Sequence, residues 1–207
     1  MLDSQNDVEA YILGILWGTM SQMNEVFWAR HRDIFFIQAV KKYLGIKAKI
    51  QTVSTRTGIQ YRLKIVRPEI VNKLNSILTA YGWTPRQSIE RCFPHGELNE
   101  RGFIRAWVEL HGVLDIRNSK RRDGAYCRQK RLRIYGNSSL LEKINLILCE
   151  GTKFNPRKLQ KTGNEITKCI YFQGSSVDPV FNWLYAGAQI CNPSIKGRFE
   201  EVLLDVH

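Results

Sequence analysis

The stretch Tyr11-Ile-Leu-Gly-Ile-Leu-Trp-Gly-Thr-Met20 is almost wholly apolar and carries two glycines four residues apart. Each glycine inside a helix costs about 1 kcal/mol relative to alanine, so the pair needs a structural reason. Four residues is close to one helical turn, which puts Gly14 and Gly18 on one bare face where a second backbone can approach. A companion stretch, Phe103-Ile-Arg-Ala-Trp-Val-Glu-Leu-His-Gly112, has the same length and carries Ala106 and Leu110 at the matching places. Gly14, Gly18 and Ala106 are therefore expected to form a helix–helix interface, with packing on the second helix looser or shifted.

The elements around the two stretches recur in the same order. A helix read from Asn6 to about Ser21, beginning with the polar capping residues Ser4, Asn6 and Asp7, leads into a strand over 26–30 and a helix over 33–44 that stops at Gly45. Alternating apolar and polar residues predict a hairpin of strands 47–53 and 58–66, and Pro68 opens a helix over 69–81. The second half predicts a helix over 100–112, strands over 113–117 and 128–135, and a helix over 139–149 capped by Ser138. Strands over 152–159 and 166–172 and a helix over 178–186 complete it. Aligning Phe27-Trp-Ala-Arg30 with Leu132-Arg-Ile-Tyr135 brings the later elements into step, a duplication with a period of roughly 95 residues. The expected organisation is a first repeat over 1–83, a linker over 84–99, a second repeat over 100–186 and a tail over 187–207.

On these two stretches and this duplicated order, the chain resembles the single-chain LAGLIDADG homing endonucleases and is identified as a degenerate, nuclease-inactive member. The resemblance implies an α+β fold: two pseudo-symmetric αββαββα repeats packed through a central two-helix interface, their sheets forming a saddle over DNA. It also implies that each motif helix should end on an acid holding a divalent metal. Thr19 and His111 stand in those two places.

Composition points to a polyanionic partner. Thirty-one Lys and Arg face nineteen Asp and Glu, a formal net charge of +12, which favours nucleic acid through counterion release and steering. Hydrophobic content of 43% supports a real core and excludes a disordered chain. The five cysteines are scattered singly, so they read as reduced thiols rather than a disulfide framework. The four histidines lack zinc-ligand spacing, and no metal site is expected. The polar, acidic start over 1–9 does not read as a signal peptide, and no apolar run reaches membrane-spanning length. The resemblance, with two motifs in one chain, implies a monomeric cytoplasmic protein of bacterial or phage origin, associated with the nucleoid.

Strand alternation assigns a DNA-facing surface. Lys47, Lys49 and Gln51 share one face of the first predicted hairpin strand, and Gln60, Arg62 and Lys64 share one face of the next, with no acid on either strand. Arg30, Arg32 and Arg56 complete the first half's set. Residues 117–133 hold eight cations (Arg117, Lys120, Arg121, Arg122, Arg128, Lys130, Arg131, Arg133) and one acid, Asp123, beside Gly124 at a turn. Lys153, Arg157, Lys158 and Lys161 extend the charge, while Thr167, Cys169 and Tyr171 stand where the first half has Gln60, Arg62 and Lys64. Phe27 comes seven positions after Met20, whereas Leu132 comes twenty after Gly112, so the first half is expected to lack the leading hairpin. That places Trp28 where the second half has Arg133, either in the core or as a surface for a protein partner. The tail, ending in Glu200-Glu-Val-Leu-Leu-Asp205, is expected to pack on the surface or dock a partner.

Phosphodiester hydrolysis in this setting requires carboxylates, because Mg²⁺ takes charged oxygen ligands. Thr19 offers a neutral hydroxyl and His111 a softer nitrogen. Glu109, Asp115 and Glu25 are the nearest acids; Glu109 lies about 200° around the helix from His111. The reading is a sequence-specific double-stranded DNA-binding protein, a transcriptional regulator that has lost cutting and needs no cofactor. The alternatives are an active endonuclease with a displaced acid, which would need Mg²⁺, and an RNA-binding intron maturase.

Overall fold

The computed structural model describes residues 5–85, 87–120, 124, 126–163 and 166–204 and, for Ser119 and Lys120, the backbone alone. Ser4, Arg121, Arg122 and Asp123 lie outside the described residues, as do the last three of the tail.

Two antiparallel four-stranded sheets carry the fold, each backed by helices. The first repeat runs α1 (Asp7–Thr19), β1 (Met20–Met23), β2 (Val26–His31), α2 (Ile34–Tyr43), β3 (Gln51–Thr55), β4 (Gly58–Ile65) and α3 (Pro68–Ala80). The second runs α4 (Glu100–His111), β5 (Gly112–Lys120), β6 (Tyr126–Gly136), α5 (Ser138–Thr152), β7 (Gln160–Lys161), β8 (Lys168–Gln173) and α6 (Val177–Tyr185), and α7 (Pro193–Leu204) closes the chain. Sheet orders β1-β2-β4-β3 and β5-β6-β8-β7 repeat the same topology, giving the expected α+β duplication. Phe27 pairs with Ile65 and Leu132 with Phe172, so the two repeats share one register.

Asparagines set the helix starts. Asn6 accepts from Val8 N at 2.8 Å and Asn99 from Gly102 N at 3.0 Å. Asn137, not Ser138, caps α5, accepting from Leu140 N at 2.9 Å. α1 and α4 pack against each other at the centre of the molecule. A Cβ on Gly14 would lie 2.6 Å from Ala106 Cβ and 2.8 Å from the Phe103 carbonyl oxygen, so glycine is what lets the backbones meet. At the other end, a Cβ on Gly102 would likewise lie 2.7 Å from the Asp7 carbonyl oxygen. The second helix's glycine is thus shifted one turn rather than lost.

Four expectations are corrected. The first half keeps its leading hairpin in shortened form: β1 and β2 pair from Met20↔Ala29 to Met23↔Val26, turning at Asn24, whose φ is +54°. α1 correspondingly stops at Thr19 rather than near 21. Residues 47–50 are not strand, because Gly45 (φ +64°) turns the chain and Ile46 buries there before β3 begins at Gln51. Residues 152–159 are not strand either: α5 continues to Thr152, whose hydroxyl donates back to the Leu148 carbonyl, and Lys153 ends it in the left-handed region at φ +59°.

The C-terminal segment is built into the fold. Ile195 and Phe199 of α7 are buried, and Asn192 ties both repeats together. Its backbone N–H donates to Glu109 at 2.9 Å and its side-chain amide to Asp33 at 2.7 Å. Arg105, fully buried, donates to Asp7 at 2.7 Å and to the carbonyls of Leu184 and Ile190, both at 3.0 Å. No helix among the described residues is long and apolar enough to cross a membrane.

Candidate nucleic-acid interface

Each sheet turns one face to the helices and leaves the other open. On the first, Phe27, Ala29, Leu63 and Ile65 point into the core, so Trp28, Arg30, Gln60, Arg62 and Lys64 share the opposite face. Register lines them up: Trp28 lies opposite Lys64, and Arg30 opposite Arg62, which pairs in turn with Gln51. Trp28 is therefore not core. Its ring lies beneath two cations, with the Arg30 guanidinium 5.3 Å and the Lys64 ammonium 5.6 Å from its centroid. Gln60 holds Arg62 Nε at 2.7 Å. No acid stands on β1, β2, β3 or β4. Burial, then the facing Arg62 charge, lower the Arg30 pKa, and Arg30 Nε is enclosed without a hydrogen-bond partner. Like charges directly across strands cost stability unless an anion comes between them.

The second sheet is compensated. Leu132 and Ile134 face the core, so Arg131 and Arg133 face out, alongside Asp115 and Arg117 of β5 and Tyr171 of β8. Asp115 accepts from Arg131 Nε and Nη2, both at 2.7 Å, and from Arg133 Nη2 at 2.6 Å. Arg131 Nη1 donates to the Tyr171 hydroxyl at 2.9 Å. Hydrogen bonding from Arg131 holds the Asp115 carboxyl below the usual carboxylate range. Farther out, Arg117, Phe154, Arg157, Lys158, Tyr171 and Gln173 contribute to the lining of a concavity of about 590 Å³. Asn145 anchors its loop, donating to the Arg157 carbonyl at 2.7 Å and accepting from the Arg157 N–H at 3.1 Å.

Several cations singled out by sequence do not join these faces. Lys130 shares the parity of Leu132, is 6% exposed, and donates to the half-exposed Asp178 of α6 at 3.0 Å, so its ammonium is engaged on the helix side of the sheet and is not a contact residue. Arg128 shares that parity and is exposed on the far side of β6. Lys120 ends β5. Lys47 and Lys49 are exposed in the loop before β3, Arg32 just after β2, and Arg56 in the β3–β4 turn. Lys153 is exposed at the end of α5, and Lys161 is exposed on β7.

At the helix feet the donor set does not suit a hard divalent cation. Thr19 is buried, and its hydroxyl donates to the Ile15 carbonyl at 2.7 Å. His111 stacks on Trp107 with centroids 4.1 Å apart, and its Nε2 is enclosed without a hydrogen-bond partner. Burial, with smaller contributions from His31 and Arg91, lowers its pKa to about 3. Between them stands a residue that sequence reasoning does not reach. Arg91, from the linker and 2% exposed, donates to the carbonyls of Trp17, Met20 (2.6 Å) and Thr84 (2.9 Å) and lies 4.5 Å from the Trp83 ring centroid. Burial lowers its pKa to about 9. Nothing in the local sequence marks it, since the partners are backbone atoms distant along the chain.

The nearby acids are engaged elsewhere. Glu109, 4% exposed, accepts from the hydroxyls of Tyr11 and Tyr185 (the latter at 3.0 Å) as well as from Asn192 N, and burial raises its pKa to about 7. Asp115 is held by its arginines, and Glu25 is exposed in the β1–β2 turn. Among the described residues, no three His, Cys, Asp or Glu side chains gather as a metal site.

No protein-family model matches the sequence, and no curated protein matches it. Solved structures do share the fold. The I-SmaMI LAGLIDADG homing endonuclease bound to cleaved DNA superposes with a TM-score of 0.66 at 12% identity, covering 96% of this chain and 88% of that one. The I-LtrWI LAGLIDADG homing endonuclease bound to target DNA gives 0.63 at 11% identity, covering 96% and 89%. I-SmaMI bound to an uncleaved DNA target in the presence of calcium ions gives 0.62 at 11%, covering 96% and 90%.

Proposed function

We propose that this chain, which has the fold of the LAGLIDADG homing endonucleases, binds double-stranded DNA sequence-specifically without cutting it and serves as a transcriptional regulator. The carrying observation is the open face of the first sheet, where Arg30, Arg62 and Lys64 stand together with no acid on any of its strands. Such a face suits a row of phosphates, and the similar structures are described as DNA complexes. Its scale suits a monomer, because one chain carries both repeats.

Loss of cleavage is supported by the helix feet. A metal-assisted reaction would need carboxylates where this chain has Thr19, an enclosed His111 nitrogen and the buried Arg91 guanidinium, a cation set where a second cation would be repelled.

The test is selection of bound sequences from a random duplex pool, followed by incubation of the selected duplex with Mg²⁺ and with Mn²⁺. A defined sequence left uncut is the expected result. Nicking abolished by Asp115→Ala or Glu109→Ala would replace this reading with an active endonuclease. Tighter binding of structured RNA than of duplex at matched salt would replace it with an RNA-binding role.

A further inference from the structure

We propose that Asp115 is a positioning residue for sequence reading, holding Arg131 and Arg133 as a paired donor unit for guanine edges in one half of the DNA site. The proposal rests on the DNA-binding function above and divides the labour between the sheets.

The first sheet presents its cations on strands that carry no acid. The second presents two arginines sharing one carboxylate, so the Asp115–Arg131–Arg133 group carries a formal charge of only +1. Its pull on phosphate is correspondingly weak. What it gains is order. Arg131 is gripped along its Nε–Nη2 edge by both Asp115 oxygens and steadied at Nη1 by Tyr171, leaving two of its five N–H donors for a ligand. Arg133 commits one Nη2 donor to Asp115. Donors fixed in a plane match the paired acceptors O6 and N7 that guanine shows in the major groove. Asp115 itself already accepts three bonds, which fill most of its acceptor capacity, so its main role is to hold the arginines. The alternating strand pattern shows why Arg131 and Arg133 qualify while Lys130, beside Arg131, does not: it points to the other face and is paired with Asp178.

Sequence profiles selected from a random duplex pool test this, using the full chain, Asp115→Asn and Arg131→Lys. The full chain is expected to select guanine at fixed positions in one half-site only. Asp115→Asn keeps the side-chain shape but loosens the arginines. It should lower discrimination at those positions roughly 5- to 150-fold and steepen the salt dependence as the freed cations turn to phosphate. Arg131→Lys keeps the charge and loses the fork, so it should lose the preference with the salt slope unchanged. Because Arg131→Lys leaves the carboxylate in place, the two variants separate positioning from general damage to the fold. An unchanged guanine preference in both variants would overturn the positioning role while leaving DNA binding intact. Failure of the full chain to retain any duplex would instead overturn the DNA-binding reading.

Discussion

Arg91 donates its guanidinium Nη2 to the carbonyl oxygen of Met20 at 2.6 Å, closing the end of α1 with a cation from the linker. A positive group at a helix C-terminus is favoured by the dipole as well as by the carbonyls it satisfies. Arg91→Met should leave those buried carbonyls without a donor. Each orphaned group costs about 1–3 kcal/mol, so a loss of roughly 2–4 kcal/mol in urea unfolding is expected. A midpoint equal to that of the parent chain would show that water or another donor takes over.

Gly14 tests the helix interface. Gly14→Ala places a methyl against Ala106 Cβ and the Phe103 carbonyl. Overpacking of this kind costs about 1–3 kcal/mol, of which the alanine's better helix propensity offsets about 1 kcal/mol. Gly18→Ala should cost less, because its nearest neighbour is the flexible Leu110 Cδ1, 2.6 Å away. Pairing Gly14→Ala with Ala106→Gly should recover part of the loss. Additive effects of the two substitutions in chemical denaturation would count against direct contact.

Glu109 and His111 oppose one another in pH dependence. Burial raises Glu109 from 4.5 to about 7, so between those values the folded chain keeps a proton that the unfolded chain releases, and stability falls as pH rises. Burial lowers His111 from 6.5 to about 3, so across that window the unfolded chain takes up a proton the folded chain refuses, and stability rises with pH. Between pH 4.5 and 6.5 the two contributions partly cancel. Glu109→Gln should therefore make stability climb more steeply with pH there, and His111→Gln should make it fall. Parallel profiles for the parent and both variants would refute the assignment.

Lys130 and Arg62 should separate cleanly in binding. Arg62→Gln removes a cation from the open face and should reduce the slope of log affinity against log salt by about 0.9 if it meets one phosphate. Lys130→Met removes a buried ammonium from its pair with half-exposed Asp178 and should lower stability while leaving that slope unchanged. Anisotropy titrations at several salt concentrations would check both. A reduced slope for Lys130→Met would put its ammonium at the DNA after all.

The duplicated plan is legible in the sequence because it rests on short-range signals. Gly14 and Gly18, the Asn6 cap, and the alternation in β4 each act within a few residues, and each points to the right element. Strand alternation also places Gln60, Arg62 and Lys64 on one face correctly. The same rule, applied residue by residue to β6, removes Lys130 from the basic set; counting cations by segment hides it. The end of α5 is harder to read because Gly151 suggests a stop, whereas the Trp183 indole packs against that glycine and the helix runs on.

By itself the sequence determined the α+β duplication, the central helix pair, the excess of positive charge and the absence of acids at Thr19 and His111. Only the tertiary structure decided which charges are available. It paired Lys130 with Asp178, tied Arg131 and Arg133 to Asp115, buried Arg91 against helix carbonyls and enclosed the His111 nitrogen. The physical reason is range. Helix and strand preferences act between near neighbours in the chain, whereas the state of a charge depends on solvent access and partners that folding brings in from far along it.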